Sequence, residues 1–396
     1  MQYRVDSRSG NKLSTLGFGC MRFPKSMQKT DELVMRSIEM GINYFDTAWI
    51  YPGNEEALGT VLEKNKAREK VFIATKLPLV MVKKTEDFDK FFNQSLQRLK
   101  TNYVDYYLMH MIMDFDQWKK LKSMGIEDWI TQKKKSGQIK QIGFSFHGPG
   151  SEFLKIIEDY DWEFCMIQYN YSDENYQAGV KGLRAAAAKK IPVMIMEPLL
   201  GGRLATGLPK DAVNAFKKAN PELSPAGWAF NWLWNQDEVT LLLSGMNTIE
   251  QLEENVKYAE ASGIGMLTDE HKLVYKSVLE SINRTCKSLC TGCNYCMPCP
   301  TGVNIPGCFS SYNTLYSMGF VIGMKHFFMS TGVMSEKDSG PSQCIRCGKC
   351  ETHCPQNISI MNELAIVKKK MEPWWLKFVG ACARAFLGKK RKNKRK

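Results

Sequence analysis

The sequence predicts an α/β protein, a (β/α)8 TIM barrel followed by a smaller cysteine-rich module. Three observations carry this expectation. Short β-rich runs alternate with amphipathic helical stretches over the first two-thirds of the chain, the pattern of parallel strands joined by crossover helices. No GxGxxG follows an early strand, which removes the main support for an open doubly wound sheet with the same alternation. Eleven of the 13 cysteines fall in the last 111 residues, so the chain ends in chemistry of a different kind.

The strands are read at Ser14 to Cys20, Asn43 to Asp46, Val71 to Lys76, Val104 to His110, Gln141 to Ser145, Cys165 to Gln168, Ile191 to Met196 and Val239 to Ser244. Eight such units close a barrel. Between them lie a helix capped by Thr30 and running to about Met40, and further helices at Glu55 to Asn65, Asp87 to Lys100, Ser151 to Asp159, Tyr176 to Lys189 and Thr248 to Ala259. Asp31 and Glu32 suit the first turn of the first helix, where carboxylates meet the positive end of the helix dipole. Thr268 to Arg284 reads as a capped connecting helix. The expected domains are therefore 1–267 for the barrel, 268–285 for the connecting helix, 286–372 for the cysteine module and 373–396 for a tail.

A hydrophobic fraction of 44% with 24% charged residues is that of an ordinary globular protein. No stretch reads as a signal peptide or a membrane span, so the expected location is cytoplasmic. The net charge of +13 does not point to specific nucleic-acid binding, because seven of those charges come from the run Lys389, Lys390, Arg391, Lys392, Lys394, Arg395 and Lys396. In the tail Trp374, Phe378, Val379, Cys382 and Phe386 recur at helical spacing. With the basic run, this amphipathic helix is suited either to peripheral contact with an anionic membrane surface or to docking on the protein itself.

Barrel enzymes gather their chemistry at the C-terminal ends of strands, and Asp46, Lys76 and His110 each end one. "GINYFDTAWIY" adds Tyr51 to Asp46, "FIATK" carries Lys76 and "DYYLMH" carries His110. With "GFS", "IQYN", "EPLLGG" and "EQLEEN" following in order, the first two-thirds of the chain resembles the aldo-keto reductase family. The cysteines point to a branch with a C-terminal ferredoxin-like iron-sulfur domain.

That resemblance implies a tetrad of Tyr51, Asp46, Lys76 and His110 acting on a small-molecule carbonyl or alcohol. Reducing a carbonyl needs an acid to protonate the developing alkoxide. A cationic Lys76 beside Tyr51 favours the phenolate form and so makes the tyrosine a better proton donor, while Asp46 holds the lysine. His110 would orient the substrate oxygen and stabilise its developing charge. His147 is a further imidazole near a strand end, suited to proton donation or to a purely structural bond.

The resemblance also implies NAD(P)H, with Ser145 and Gln168 at the positions that hold the nicotinamide carboxamide and Glu254 and Asn255 at the adenine end. Gly201, Gly202 and Arg203 follow the seventh strand, where glycines let backbone approach a pyrophosphate and an arginine can pair with it. The pattern departs at Phe146, where an asparagine is usual, and at Met196, where a stacking tyrosine is usual. Gly245, Met246 and Gln251 stand where NADP-selective members carry basic residues, which argues against NADP selectivity.

"CTGCNYCMPCP" and "CIRCGKCETHCP" carry the strongest local signal. In two-cluster ferredoxins three cysteines of such a run wrap one 4Fe-4S cluster and the fourth ligates the other. On that logic one cluster takes Cys290, Cys293, Cys296 and Cys354, and the second takes Cys344, Cys347, Cys350 and Cys299. Cys286 and Cys308 read as bystanders, Cys20, Cys165 and Cys382 as small apolar residues, and zinc is the alternative for any single CxxC pair. The expected whole is an iron-sulfur oxidoreductase whose clusters relay electrons, with a ferredoxin-like protein as a suitable partner. The alternatives are a nicotinamide-dependent reductase with structural clusters and a non-catalytic electron-transfer or docking subunit. A flavin would reconcile two-electron hydride chemistry with one-electron clusters, although no familiar flavin motif stands in the chain.

Overall fold

The computed structural model describes residues 1–148, 150–331 and 338–372. They divide into two compact units, Met1–Leu199 with Ala226–Asp269, and Leu200–Pro225 with the chain from Glu270 onward. The amphipathic segment around Trp374 to Phe386 and the basic run after it lie outside the described residues.

The first unit opens with an antiparallel hairpin, β1 (Tyr3–Val5) and β2 (Lys12–Ser14), in which Tyr3 faces Ser14 and Val5 faces Lys12. Eight parallel strands follow: β3 (Leu16–Gly19), β4 (Tyr44–Asp46), β5 (Phe72–Leu77), β6 (Val104–Ile112), β7 (Ile139–Phe146), β8 (Phe164–Gln168), β9 (Val193–Met196) and β10 (Val239–Ser244). They pair in chain order and close where β10 meets β3 through Leu242 opposite Leu16 and Ser244 opposite Phe18.

The sequence reads Ser14 to Cys20 as one strand, but the structure splits it. Ser14 Oγ donates to the Leu16 carbonyl and accepts the Asn43 N–H, so the chain leaves the hairpin at Ser14 and enters the barrel only at Leu16. The first helix also begins earlier than expected. It spans Met27–Glu39 and is capped by Ser26, whose side chain accepts the Lys29 N–H, while Thr30 is buried inside it and donates to the Pro24 carbonyl.

Strand periodicity sets the barrel interior. Tyr44, Ala74, Tyr106, Leu108, Phe164, Met166, Met194 and Leu241 pack together as one buried cluster. Successive side chains alternate faces, so the inward face continues two residues further along each strand. It reaches Asp46 after Tyr44, Lys76 after Ala74, His110 after Leu108, Gln168 after Met166 and Met196 after Met194. Gly143 lets β7 fit this interior, because a Cβ there would lie 2.5 Å from the Phe164 carbonyl oxygen. At the opposite end the hairpin turn reaches the core, where Tyr106 donates its hydroxyl to Asp6 Oδ2 at 2.8 Å.

The second unit differs from the expected boundaries because Leu200–Pro225 groups with the chain from Glu270 onward. Phe216 packs edge-on against Tyr275 with ring centroids 6.0 Å apart. Helices at Asp269–Thr285, Ile305–Met318, Phe320–Thr331 and Ile360–Met371 build this unit, and the middle two form a hairpin between the cysteine motifs that motif spacing does not announce. Asn304 caps its first helix through the Gly307 N–H and donates to the Ser330 carbonyl of the second. Val303, Ile305, Phe309, Phe327, Ile360, Leu364 and Val367 form the core, and Cys290, Cys296, Cys299, Cys344 and Cys350 pack against it. Among the described residues no helix is long and apolar enough to cross a membrane.

Candidate functional site

Lys76 is 1% exposed and Asp46 5%, so this ion pair is shielded from water on nearly every side. Lys76 Nζ donates to both Asp46 carboxylate oxygens and to the Thr47 carbonyl, each at 2.7 Å, which uses all three ammonium donors. Burial pushes the Asp46 carboxyl above its ordinary range, with the Lys76 charge pulling the other way. Removing one partner of such a pair leaves an uncompensated buried charge and costs about 3–5 kcal/mol.

Tyr51 sits on the turn after β4, half-buried, with its ring 5.3 Å from Lys76 Nζ and edge-on to His110 at 6.0 Å between centroids. A part-buried network anchors this turn. Arg98 donates to the Trp49 carbonyl and to Glu55 Oε2, both at 3.2 Å, and Thr75 Oγ1 donates to Glu55 Oε1 at 2.6 Å. The Trp49 indole donates to Gln94 and packs against Phe91. Trp49, Glu55 and Arg98 are positioning residues that motif reading misses, because nothing in local spacing pairs Glu55 with a helix 43 positions away.

His110 ends the inward face of β6 within a register irregularity against β7 between Met109 and Ile112. Met111 there has a φ of 62°, a left-handed conformation uncommon outside glycine, and its N–H donates to Ser145 Oγ at 2.8 Å. Ser145 thus holds the irregularity that aims His110. Burial lowers the His110 pKa well below the ordinary value, aided by the charges of Lys76 and His147. Burial likewise lowers His147 to about 4, against a hydrogen bond with Gln177.

Both imidazoles are therefore neutral near pH 7. In the unfolded chain a histidine titrates near ~6.5, whereas folded His147 titrates at about 4. Between those values the unfolded state holds a proton that the folded His147 does not, so stability is fully present above ~6.5 and falls as pH falls, by about 1.4 kcal/mol per unit. His147→Gln is expected to remove that share of the acid slope, read from urea unfolding between about pH 5 and pH 7. An unchanged slope would show that His147 is charged in the folded state.

The nicotinamide-side candidates are engaged with their own surroundings. Gln168 donates to Asp173 Oδ2 at 3.0 Å and accepts from Gln177 Nε2 at 2.8 Å. Asn255 is buried and donates to Ser244 Oγ, and Glu254 accepts the Tyr258 hydroxyl. Leu200, Gly201 and Gly202 all have positive φ, and Arg203 donates to Cys286 Sγ at 2.6 Å within the second unit. Phe146 is fully buried, packed against Phe144 and Phe153. Met246 is buried and Gly245 and Gln251 are exposed.

In the second unit two hollows are lined by cysteines. Cys290, Cys293, Cys296 and Cys354 line one, and Cys299, Cys344, Cys347 and Cys350 line the other. Ile305 contributes to both walls. Zinc needs four ligands converging at about 2.3 Å, and among the described residues no three His, Cys, Asp or Glu side chains converge on one ion. Four thiols around a hollow fit a larger body such as an iron-sulfur cube. Burial pushes the Cys299 thiol up, but hydrogen bonds from Thr301 and from backbone at Thr301, Val303 and Gly302 lower it overall. Neither hollow includes Cys286 or Cys308 in its lining.

A closed (β/α)8 barrel with this constellation at its strand ends, in one chain with a unit that carries two cysteine-lined hollows, defines an oxidoreductase with an iron-sulfur domain. The chain belongs to the aldo/keto reductase family, whose model matches residues 15–264, and a 4Fe-4S dicluster domain matches residues 289–359. Among curated relatives, an uncharacterized oxidoreductase YqkF of Bacillus subtilis is 27% identical over 66% of this chain and 92% of its own length. L-glyceraldehyde 3-phosphate reductase of Escherichia coli is 24% identical over 65% and 87%. Protein REDOX 2 of Catharanthus roseus is 32% identical over 64% and 83%. Among solved structures, the aldo-keto reductase AKR11C1 from Bacillus halodurans superposes with a TM-score of 0.57 at 24% identity, covering 70% of this chain and 96% of that one.

Proposed function

We propose that the barrel reduces a carbonyl group on a small molecule, or oxidises the corresponding alcohol, with Tyr51 as the proton-transferring residue. The observation that carries this reading is the buried Lys76 ammonium, locked to Asp46 at 2.7 Å and facing the Tyr51 ring at 5.3 Å. A fixed positive charge beside the phenol favours release of its proton to a developing alkoxide. His110, neutral and edge-on to Tyr51, donates a hydrogen bond to the same oxygen and orients it without adding a second cation.

A nicotinamide nucleotide, when bound, supplies or accepts a hydride as a unit. Gln168 and Ser145 are the residues suited to its carboxamide, and Met196, on the inward face of β9, offers an apolar surface beside it. The 4Fe-4S clusters are two in this reading, one held by Cys290, Cys293, Cys296 and Cys354 and one by Cys299, Cys344, Cys347 and Cys350. Ile305 lines both hollows, so the two sites adjoin, which supports electron exchange between them; a ferredoxin-like protein is the partner suited to supply or take those electrons. A flavin or a conjugated substrate would join hydride and single-electron chemistry. A second reading has structural clusters only, and the packing of five of the eight thiols against the unit's core favours it.

The test is anaerobic purification with iron and acid-labile sulfide analysis, and visible spectra before and after NADH and NADPH are added separately. About eight irons with bleaching by one nucleotide is the expected result. Full iron content with no bleaching by nucleotide, substrate or reduced ferredoxin would leave the clusters structural.

A further inference from the structure

Phe320, Val321 and Ile322 are 58%, 79% and 47% exposed, three consecutive large apolar side chains held in water. They form the first turn of the helix Phe320–Thr331, which meets the end of Ile305–Met318 across Gly319 alone. Gly319 makes so short a turn with a φ of 92°, a conformation that strains any residue with a side chain. The helices close tightly behind the tip, because a Cβ on Gly323 would lie 2.5 Å from Leu315 Cα. Further along, Ser311 Oγ lies 3.0 Å from His326 Nδ1 and 2.9 Å from Ser330 Oγ. Met324 and Phe327 turn into the core of the unit. Phe320, one turn before Met324 on the same face, lies past the end of the first helix and stays uncovered. The tip is thus an apolar point on a firmly held support.

The chain around it carries charge of one sign. No Asp or Glu stands between Glu280 and Glu336. Lys325 is exposed one turn beyond Val321, and Lys287 Nζ lies 5.0 Å from the centre of the Tyr316 ring, close to the end of the first helix. The backbone fixes Lys287 there: its N–H and that of Ser288 donate to Asn313 Oδ1 at 3.0 and 2.9 Å, and Asn313 Nδ2 donates to the Ser288 carbonyl at 2.7 Å. Seven more positive charges follow at 389–396.

We propose that Phe320, Val321 and Ile322 insert into the surface of an anionic phospholipid bilayer, with Lys287, Lys325 and the basic run at 389–396 on its headgroup phosphates. A second copy of the chain would set these lysines against their equivalents, which like charge opposes, whereas anionic headgroups match them. The three side chains cover about one helical turn, ~5 Å, within the ~5–10 Å to which apolar groups of surface-bound proteins enter the headgroup and acyl boundary. A single attachment gives marginal, reversible binding, and an apolar insertion joined to a polybasic segment gives a stable one. The contact lies on the membrane and does not cross it, in keeping with the lengths of the described helices.

The experiment is flotation of the purified full chain with vesicles of phosphatidylcholine alone and of phosphatidylcholine mixed with phosphatidylglycerol, for wild type, Val321→Asp and Val321→Leu. Wild type is expected to float with the mixed vesicles and to be released in part by high salt. Val321→Asp is expected to lower the partition coefficient by about tenfold or more, the share of one buried side chain of this size, and Val321→Leu to keep it. Val321 has little packing to lose, and equal melting temperatures of the three proteins check that the fold is intact. Wild-type flotation undiminished in Val321→Asp overturns the insertion and leaves the basic run as the whole attachment. Wild type that floats with neither vesicle overturns it too. If such a protein is a dimer in sedimentation velocity and Val321→Asp a monomer, the tip belongs to a second copy of the chain instead.

Discussion

Tyr51→Phe is expected to lower turnover of an aldehyde or ketone substrate by about 10²- to 10⁴-fold, with iron content and visible spectrum unchanged. The substitution removes one oxygen from a half-buried ring on a turn that Trp49, Glu55 and Arg98 hold in place, so the barrel has no reason to rearrange. What is lost is the proton donor beside the Lys76 charge. Steady-state kinetics over a panel of small carbonyl compounds reads the effect, and the loss belongs in kcat more than in KM because the proton moves only in the reaction itself. Turnover equal to wild type would remove Tyr51 from the chemistry and leave the barrel a scaffold.

Cys354→Ala is expected to remove one cluster, about half of the iron per chain, and to match Cys293→Ala in its remaining spectrum. In sequence Cys354 belongs with Cys344, Cys347 and Cys350, and a model of one motif per cluster predicts that it behaves like them. In the structure it lines the hollow of Cys290, Cys293 and Cys296. Cys299→Ala should correspondingly match Cys347→Ala, its companion in the other hollow. Iron analysis and the low-temperature spectra of the four variants decide the pairing. Grouping by motif instead of by hollow would overturn the crossed assignment.

Much of the barrel is legible because strand and helix periods are local properties. Each of the eight strand readings overlaps an observed barrel strand, and the connecting helix read from Thr268 is observed as Asp269–Thr285. The errors lie at ends and turns. Ser14 was not recognisable as a break between hairpin and barrel, because its hydroxyl makes that break through Leu16 and Asn43. Thr30 and Ser26 are both acceptable caps by residue type, and burial of Thr30 decided between them. The helix hairpin between the cysteine motifs was hidden for another reason: its first and second helices carry mostly apolar and small residues without a sharp polar face, so periodicity is weak there.

By itself the sequence determined the parallel alternation, the polar groups that end the inward faces of β4, β5 and β6, and the two cysteine runs, because each is a matter of residue type and short spacing. Only the tertiary structure decided the contacts between distant positions. Trp49, Glu55 and Arg98 converge to hold the Tyr51 turn, and Ser145 caps the irregularity beside His110. Arg203 meets Cys286 although the two are 83 positions apart. No local period encodes such a pairing. It follows from closure of the barrel in one unit and from the packing of the segment after β9 against the C-terminal helices in the other, where burial and charge select the partners that remain.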